Sequence, residues 1–243
     1  MKRRETTIDG YLKARQAEMP LQTRGPVPVT RPFVTISRQA GAGGHTLADT
    51  LLEVFAEQDD PQLFSGWQVF DRKLCEIVAA NPAYEGSMES LLAEEYRTKT
   101  EEFLRQLLGT SHDQDQLMFY VFRVVTAVAS IGKSIILGRA GSELTRDMHG
   151  GVSVRLIAPE ACRIKGVMEH YGIDNEAAAR DRAQNLDTSR ARLLRSHFGV
   201  NIDDPERYDM VWNTGRVPFR TIAESVAVML RTGAEAARSE ARR

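Results

Sequence analysis

Val34-Thr-Ile-Ser-Arg-Gln-Ala-Gly-Ala-Gly-Gly-His-Thr-Leu47 is the stretch that decides the fold. A short β-branched run enters a glycine-rich turn, and an amphipathic segment leaves it. The run Phe33-Val-Thr-Ile36 predicts a buried strand, because β-branched and aromatic side chains fit a pleated, covered surface. Leu47, Leu51, Val54 and Phe55 recur at helical spacing and predict a helix over 46–57 with one apolar face. Between them, Ala40-Gly-Ala-Gly-Gly44 makes a turn of little side-chain bulk. Inward N–H groups of such a turn, backed by a helix N-terminus, form a cradle for phosphate.

The standard cradle reads GxxxxGK[ST]. Aligned on the glycines, Arg38 stands for the first Gly, Gly44 for the Lys and His45 for the Ser/Thr, and only Gly43 matches. For this segment alone, a strand-to-helix turn that holds no phosphate is the plain alternative. On the cradle reading, a polyphosphate lies against Ser37, Arg38, Gln39, Ala40, Gly41, Ala42, Gly43, Gly44, His45 and Thr46. Arg38 then has two placements. Its planar fork either folds back over the phosphates and partly replaces the absent lysine, or points outward from the surface. Thr46 is the nearest hydroxyl to the place where Mg²⁺ is normally ligated, and is the candidate metal ligand.

Outward from the turn, the pattern alternates. Strands are predicted over 67–70, 134–137, 152–158 and 208–213, and helices over 72–80, 87–108, 117–130, 159–171, 175–198 and 218–231. Pro159 suits a first helical turn, and Gly172 suits a helix end. Strands alternating with helices predict an α/β domain over 33–232, a parallel sheet of about five strands covered on both faces. The helical stretch 71–132 reads as an insertion on the ligand edge of that sheet. Residues 1–32, broken by Pro20, Pro26, Pro28 and Pro32, read as a peripheral arm, and 233–243 as a fraying helical tail.

The bulk composition sets limits. Lys and Arg total 32 against 33 for Asp and Glu, a net charge of -1, so nothing points to general nucleic-acid binding. Cys75 and Cys162 sit in no CxxC pattern and read as free thiols of a reducing compartment. No apolar run approaches the roughly 20 residues that span a bilayer. Met1-Lys-Arg-Arg-Glu5 is basic, but no apolar stretch follows it. The expectation is a cytoplasmic protein with no membrane partner. His45, His112, His149, His170 and His197 show no metal-ligand spacing. Met118, Phe119 and Phe122 read as core.

Ile36-Ser-Arg-Gln-Ala-Gly-Ala-Gly-Gly44 resembles the opening of the cytidylate kinase-like family, a branch of the P-loop nucleoside monophosphate kinases. Phe70-Asp-Arg72, Leu137-Gly-Arg139 and Tyr208-Asp-Met-Val-Trp-Asn213 resemble three further landmarks of that branch, in the same order. The resemblance covers about 33–230. It implies phosphoryl transfer from ATP, with Mg²⁺, to a nucleoside monophosphate, CMP or dCMP first. Such transfer needs alignment and charge neutralisation more than covalent chemistry, which gives the arginines their weight.

By this resemblance, Arg139 is the acceptor-phosphate arginine, and Asp71 and Arg72 lie on the acceptor side. Asp71 reads equally well as a helix N-cap. Ala140 stands where better-known cytidylate kinases carry Asp. Arg123 is a further acceptor candidate or a surface residue. Residues 180–205 resemble the lid, with Arg182, Arg190 and Arg192 closing over the phosphoryl group and Asp187 orienting one of them. Arg182 and Arg190, eight apart, are expected to share a helix face. Arg163 either flanks adenine or lies on the surface. Gly44 and Ala140 leave open a nucleotide-binding regulatory module that has lost turnover. A P-loop kinase for another small molecule is a third reading, since a fold does not set its substrate.

Overall fold

The computed structural model describes residues 31–71, 73, 75 and 113–240. The expected arm over 1–30, Arg72, His112, almost all of the 72–80 helix and the whole 87–108 helix lie outside the described residues. The β-branched run forms β1 (Phe33–Arg38), and the helical repeat forms α1 (Gly44–Ala56). A single turn, α2 (Pro61–Phe64), leads into β2 (Gln68–Phe70). Next come α3 (Asp113–Ile131), β3 (Ser134–Leu137) and the short α4 (Gly141–Leu144). β4 (Gly151–Ile157), α5 (Glu160–Tyr171) and α6 (Glu176–Phe198) follow, then β5 (Met210–Asn213) and α7 (Phe219–Glu240).

The five strands form one sheet in the order β2-β3-β1-β4-β5, and every pairing is parallel. Val34 lies opposite Ile135 on one side and Val152 on the other, so β1 is the central strand. Alternation along each strand sorts the core into two layers. Val34, Ile36, Ile135, Leu137, Val154 and Leu156 meet Leu47, Leu51, Val54 and Phe55 of α1 and Ile222, Val226 and Leu230 of α7. Phe33, Phe70 and Ile136 face the other way, onto Val121, Val124, Val125 and Val128 of α3. Parallel strands bring the carboxyl ends of β1 and β3 to one edge, where ligands of such sheets bind.

α5 and α6 form a hairpin beside that edge. Ile164 and Val167 pack on Ala179 and Ala183, and Ala40 of the glycine-rich turn joins them. Asn175 caps α6 by accepting the Ala178 N–H at 2.9 Å, and Gly172 ends α5 in the left-handed region, as its position in the sequence suggests. Contact between turn and hairpin is backbone on backbone. A Cβ on Gly166 would stand 2.5 Å from the Gly41 carbonyl oxygen, and one on Gly41 would overlap the Arg163 carbonyl.

Two elements differ from expectation. β5 starts at Met210 because the Tyr208 side chain turns inward, donating to the Ile202 carbonyl at 2.8 Å. α7 continues through the expected tail to Glu240, with Ala234 buried and Arg238 3.8 Å from Asp60. Among the described residues no helix is long and apolar enough to cross a membrane.

Two helical glycines should respond oppositely to one substitution. An interior Gly→Ala change ordinarily adds about 1 kcal/mol to a helix. Gly233 has nothing within 4 Å of its would-be Cβ, so Gly233→Ala should stabilise by roughly that amount in urea denaturation. Gly166→Ala should destabilise, because its methyl group meets the Gly41 backbone. Equal shifts in the two variants would show that the turn and α5 do not touch.

Candidate functional site

β1 hands the chain to the turn through local bonds. The Gln39 N–H donates to the Leu156 carbonyl at 2.9 Å, and the Ala42 N–H to the Gln39 carbonyl at 3.2 Å. The Gln39 side chain accepts the Ala158 N–H at 3.1 Å, and the Thr214 hydroxyl donates to the Ala42 carbonyl at 3.1 Å. Gly43 takes φ 82°, and a Cβ there would overlap the Phe219 ring. It stands at the N-cap of α1 with no side chain to satisfy the helix. Among the described residues the amides of Gly43, Gly44, His45 and Thr46 have no hydrogen-bond partner. Free N–H groups at a bare helix start fit an anion such as phosphate.

Arg38 fills the space beside Gly44. Its stem crosses Gly44, where a Cβ would stand 3.1 Å from Arg38 Cγ and 3.0 Å from Leu137 Cδ1. Its guanidinium lies on Gly138, where any Cβ would overlap Nη1. Both glycines make room for one arginine, whose side chain lies against them rather than in solvent. Burial, then the charge of Arg190, pushes the Arg38 guanidinium down to about 9, with Arg139 and Arg155 adding smaller effects of the same sign. An arginine keeps its proton at neutral pH, so an anion is what relieves this stress.

At the end of β3 the backbone is strained. Gly138, Arg139 and Ala140 take φ of 78°, 56° and 55° in succession. A left-handed residue other than glycine costs about 1–2 kcal/mol. The turn is held by the Gly138 N–H on the Ile36 carbonyl at 3.0 Å and the Gly141 N–H on the Gly138 carbonyl at 2.9 Å. It delivers Arg139 to the sheet edge.

α6 is docked on the turn through one carboxylate. Asp187 accepts the Ala40 N–H at 2.7 Å, Arg163 Nη1 at 2.6 Å and Arg190 Nη1 at 3.2 Å. Arg190 Nη1 also donates to the Arg38 carbonyl at 3.3 Å. Burial, partly opposed by Asp187, lowers the Arg190 pKa. Arg38, Arg139 and Arg190 thereby line one cavity of about 590 Å³, together with Asp71, Lys73 and the apolar Leu193, Leu194 and Ile202. A second cavity of about 320 Å³ lies on the turn and includes Gly43, Gly44 and Thr46. Arg38, His45, His170, Tyr171, Leu186 and Arg190 line both, so the two form one cleft. The His45 and His170 rings stack between them at 5.0 Å.

The other expected site residues divide. Ser37 lines the larger cavity, with its hydroxyl 3.3 Å from the Tyr208 hydroxyl. Asp71 lines it too, and its carbonyl accepts the Cys75 N–H at 3.0 Å. Arg123 is half-buried on α3 and lines neither cavity. The Arg163 guanidinium is held by Asp187 and lines neither cavity. Arg182 is exposed, its guanidinium 4.8 Å from the Tyr171 ring centroid. Eight residues turn a helix by two turns and about 80°, so Arg182 does not share the inward face of Arg190. Arg192 is exposed as well, because two residues turn the helix about 200° from Arg190. Phe122 is core, and the Phe119 side chain lies outside the description.

Sequence reasoning missed Lys73, His170 and Tyr171 on the cleft wall and Arg155 beneath it. Only Arg155 carried a signal, as an arginine inside the apolar run Val152-Ser-Val-Arg-Leu-Ile157. It missed Glu143 as well, buried in α4 and paired with Arg207, whose Nε donates at 2.8 Å.

The sequence model of the cytidylate kinase-like family matches residues 33–216. An uncharacterized protein from Eubacterium ventriosum superposes with a TM-score of 0.62 at 19% identity, over 83% of this chain and 99% of that one. A looser likeness, TM-score 0.45 at 9% identity, links 82% of this chain with 98% of a shikimate kinase from Bacteroides thetaiotaomicron. A uronate isomerase of Corynebacterium glutamicum is 30% identical over 103 residues, 42% of this chain. The chain spans 19% of the length of that curated relative.

Burial first, then Arg38 and His170, holds the His45 pKa below its ordinary 6.5. A folded pKa below the unfolded one means the native state binds fewer protons there, so the stability is full above about pH 6.5 and fades as pH falls through the lowered value. Thermal melts between about pH 7 and pH 5 should lose stability less steeply in His45→Gln than in the parent. Superimposable profiles would remove His45 as a source of the slope.

Proposed function

Because this chain belongs to the cytidylate kinase-like family, we propose that it transfers the γ-phosphoryl group of ATP, with Mg²⁺, to a nucleoside monophosphate, CMP or dCMP first. One observation carries the reading: Arg38, Arg139 and Arg190 converge on a single cleft beside a turn of free amides. Guanidiniums gathered beside free amides suit two phosphates brought together. Bound ATP would supply the phosphoryl group, and Mg²⁺ charge neutralisation beside the Thr46 hydroxyl.

The residues then take these roles. Amides from Gly43 to Thr46 hold the polyphosphate, and Arg38 spans it from the strand side. Asp187 aims Arg190 at the phosphoryl in flight. Arg139 takes the acceptor's phosphate, with Asp71 on the acceptor wall and Arg72 beside it in sequence. Apolar Leu193, Leu194 and Ile202 exclude water from that side. Arg182 and Arg192 reach the cleft only if α6 moves.

A specific observation favours a second reading, a nucleotide-binding module without turnover. The protein's own Asp187 carboxylate already sits on the Ala40 amide and ties Arg163 and Arg190 to the turn. A coupled assay with ATP, Mg²⁺ and a panel of monophosphates separates the two. Turnover with CMP or dCMP is expected. ATP binding with no turnover of any acceptor would give the second reading the case.

A swap tests the lysine replacement. Arg38→Ala should weaken ATP binding about ten- to hundredfold, the range for losing hydrogen bonds to a charged group. Gly44→Lys alone should also weaken it, since the new side chain meets the Arg38 stem and Leu137. Arg38→Gly combined with Gly44→Lys should recover affinity by restoring the standard order. A gain from Gly44→Lys alone in calorimetry would show that Arg38 does not fill the lysine's place.

A further inference from the structure

Beneath the cleft the sheet carries a charge where apolar residues belong. Arg155 lies within β4, with 5% of its side chain exposed. Its neighbours Val154 and Leu156 enter the core on one face, and Arg155 points to the other, beside its register partner Ser37 on β1. Nη1 donates to Ser37 Oγ at 3.0 Å and Nη2 to Asp203 Oδ1 at 2.7 Å. The chain continues from the Ser37 hydroxyl to the Tyr208 hydroxyl at 3.3 Å, and from there to the Ile202 carbonyl at 2.8 Å. The guanidinium carbon stands 5.9 Å from the Tyr208 ring centroid, and the buried Nε has no hydrogen-bond partner.

Stability does not explain this arginine. Burying a guanidinium is costly, and a carboxylate partner that is 64% exposed, as Asp203 is, returns little of that cost. An apolar residue of similar volume would pack in the same space. What the fork achieves is geometric. Ser37 immediately precedes Arg38, and Ile202 and Asp203 belong to the segment that follows α6. One planar group therefore ties the strand end carrying Arg38 to the foot of the helix carrying Arg190. Its charge bears on both of those arginines, with the same sign as theirs.

We propose that Arg155 is a positioning residue of the cleft, a fork that holds Arg38 and Arg190 at the separation a polyphosphate bridges. The inference rests on the cleft being a polyphosphate site. Arg155 does not reach the ligand; it acts through Ser37 and Asp203. Lysine keeps the charge but cannot hold two acceptors in one plane, so charge and fork are separable.

The test uses the full chain and inorganic tripolyphosphate. It measures affinity by calorimetry, melting temperature, and hydrogen exchange over 187–194. Arg155→Met should melt at or above the parent temperature, bind tripolyphosphate about tenfold more weakly and exchange faster over 187–194. Arg155→Lys should bind as weakly as Arg155→Met. Asp203→Asn should share the loss, and the double variant Arg155→Met with Asp203→Asn should be no weaker than Arg155→Met alone. Parent-like affinity and exchange in Arg155→Met, or full recovery in Arg155→Lys, would overturn the positioning role and leave the cradle standing. If Arg155→Met does not fold, Asp203→Asn at its exposed carboxylate decides, and parent-like binding there overturns the proposal. A parent chain that binds no tripolyphosphate overturns the polyphosphate reading itself, and this inference with it.

Discussion

The cleft depends on the packing of one arginine stem across two glycines. Arg38 leaves the end of β1, crosses Gly44 at the start of α1 and sets its guanidinium on Gly138 at the end of β3. That path joins two neighbouring strands and the first helix at the point where the strands end and the helix begins. It also explains why the turn departs from the standard motif at two places together. A lysine on the helix would compete for the volume that an arginine on the strand already fills.

Charge makes this arrangement unstable by itself. Arg139, Arg155 and Arg190 all act on Arg38 with the same sign. Asp203 accepts from Arg155, and Asp187 from Arg190. The backbone adds further strain at Arg139 and Ala140, both left-handed after Gly138. Repulsion and strain at one edge of a well-packed sheet are tolerated because two apolar layers hold the strands in place. An anion entering there would bring the edge closer to electrostatic balance, the way a rigid scaffold can turn poor local energetics into affinity.

The fold was legible because its signals are local and periodic. Leu47, Leu51, Val54 and Phe55 announce a helix face, and all four are buried. Gly172 and Asn175 mark helix ends by backbone and capping chemistry, and both do so here. The turn was legible from its glycines. The site was legible only where geometry follows from position in the chain, as for Arg38 and Arg139 at strand ends. Arg182, Arg190 and Arg192 are equivalent as sequence, and only the packing of α6 on α5 selects which one faces inward. Asp187 was expected to orient one arginine, but its simultaneous hold on Ala40 and Arg163 spans three elements and leaves no periodic trace. Arg155 was hidden for the opposite reason, as a single polar residue inside a run that otherwise reads as buried strand.

The absent ammonium group has a chemical consequence of its own. Among the described residues, Lys73 is the one lysine lining either cavity, and it belongs to the larger cavity, away from the glycine-rich turn. Nucleotide reagents that acylate a lysine amine would find none, among the described residues, lining the cavity on the turn. Dicarbonyl reagents, which condense with guanidinium groups, would find their targets there instead. Surveys of nucleotide-binding proteins that rely on amine capture would pass over a pocket of this kind, however tightly it held its ligand.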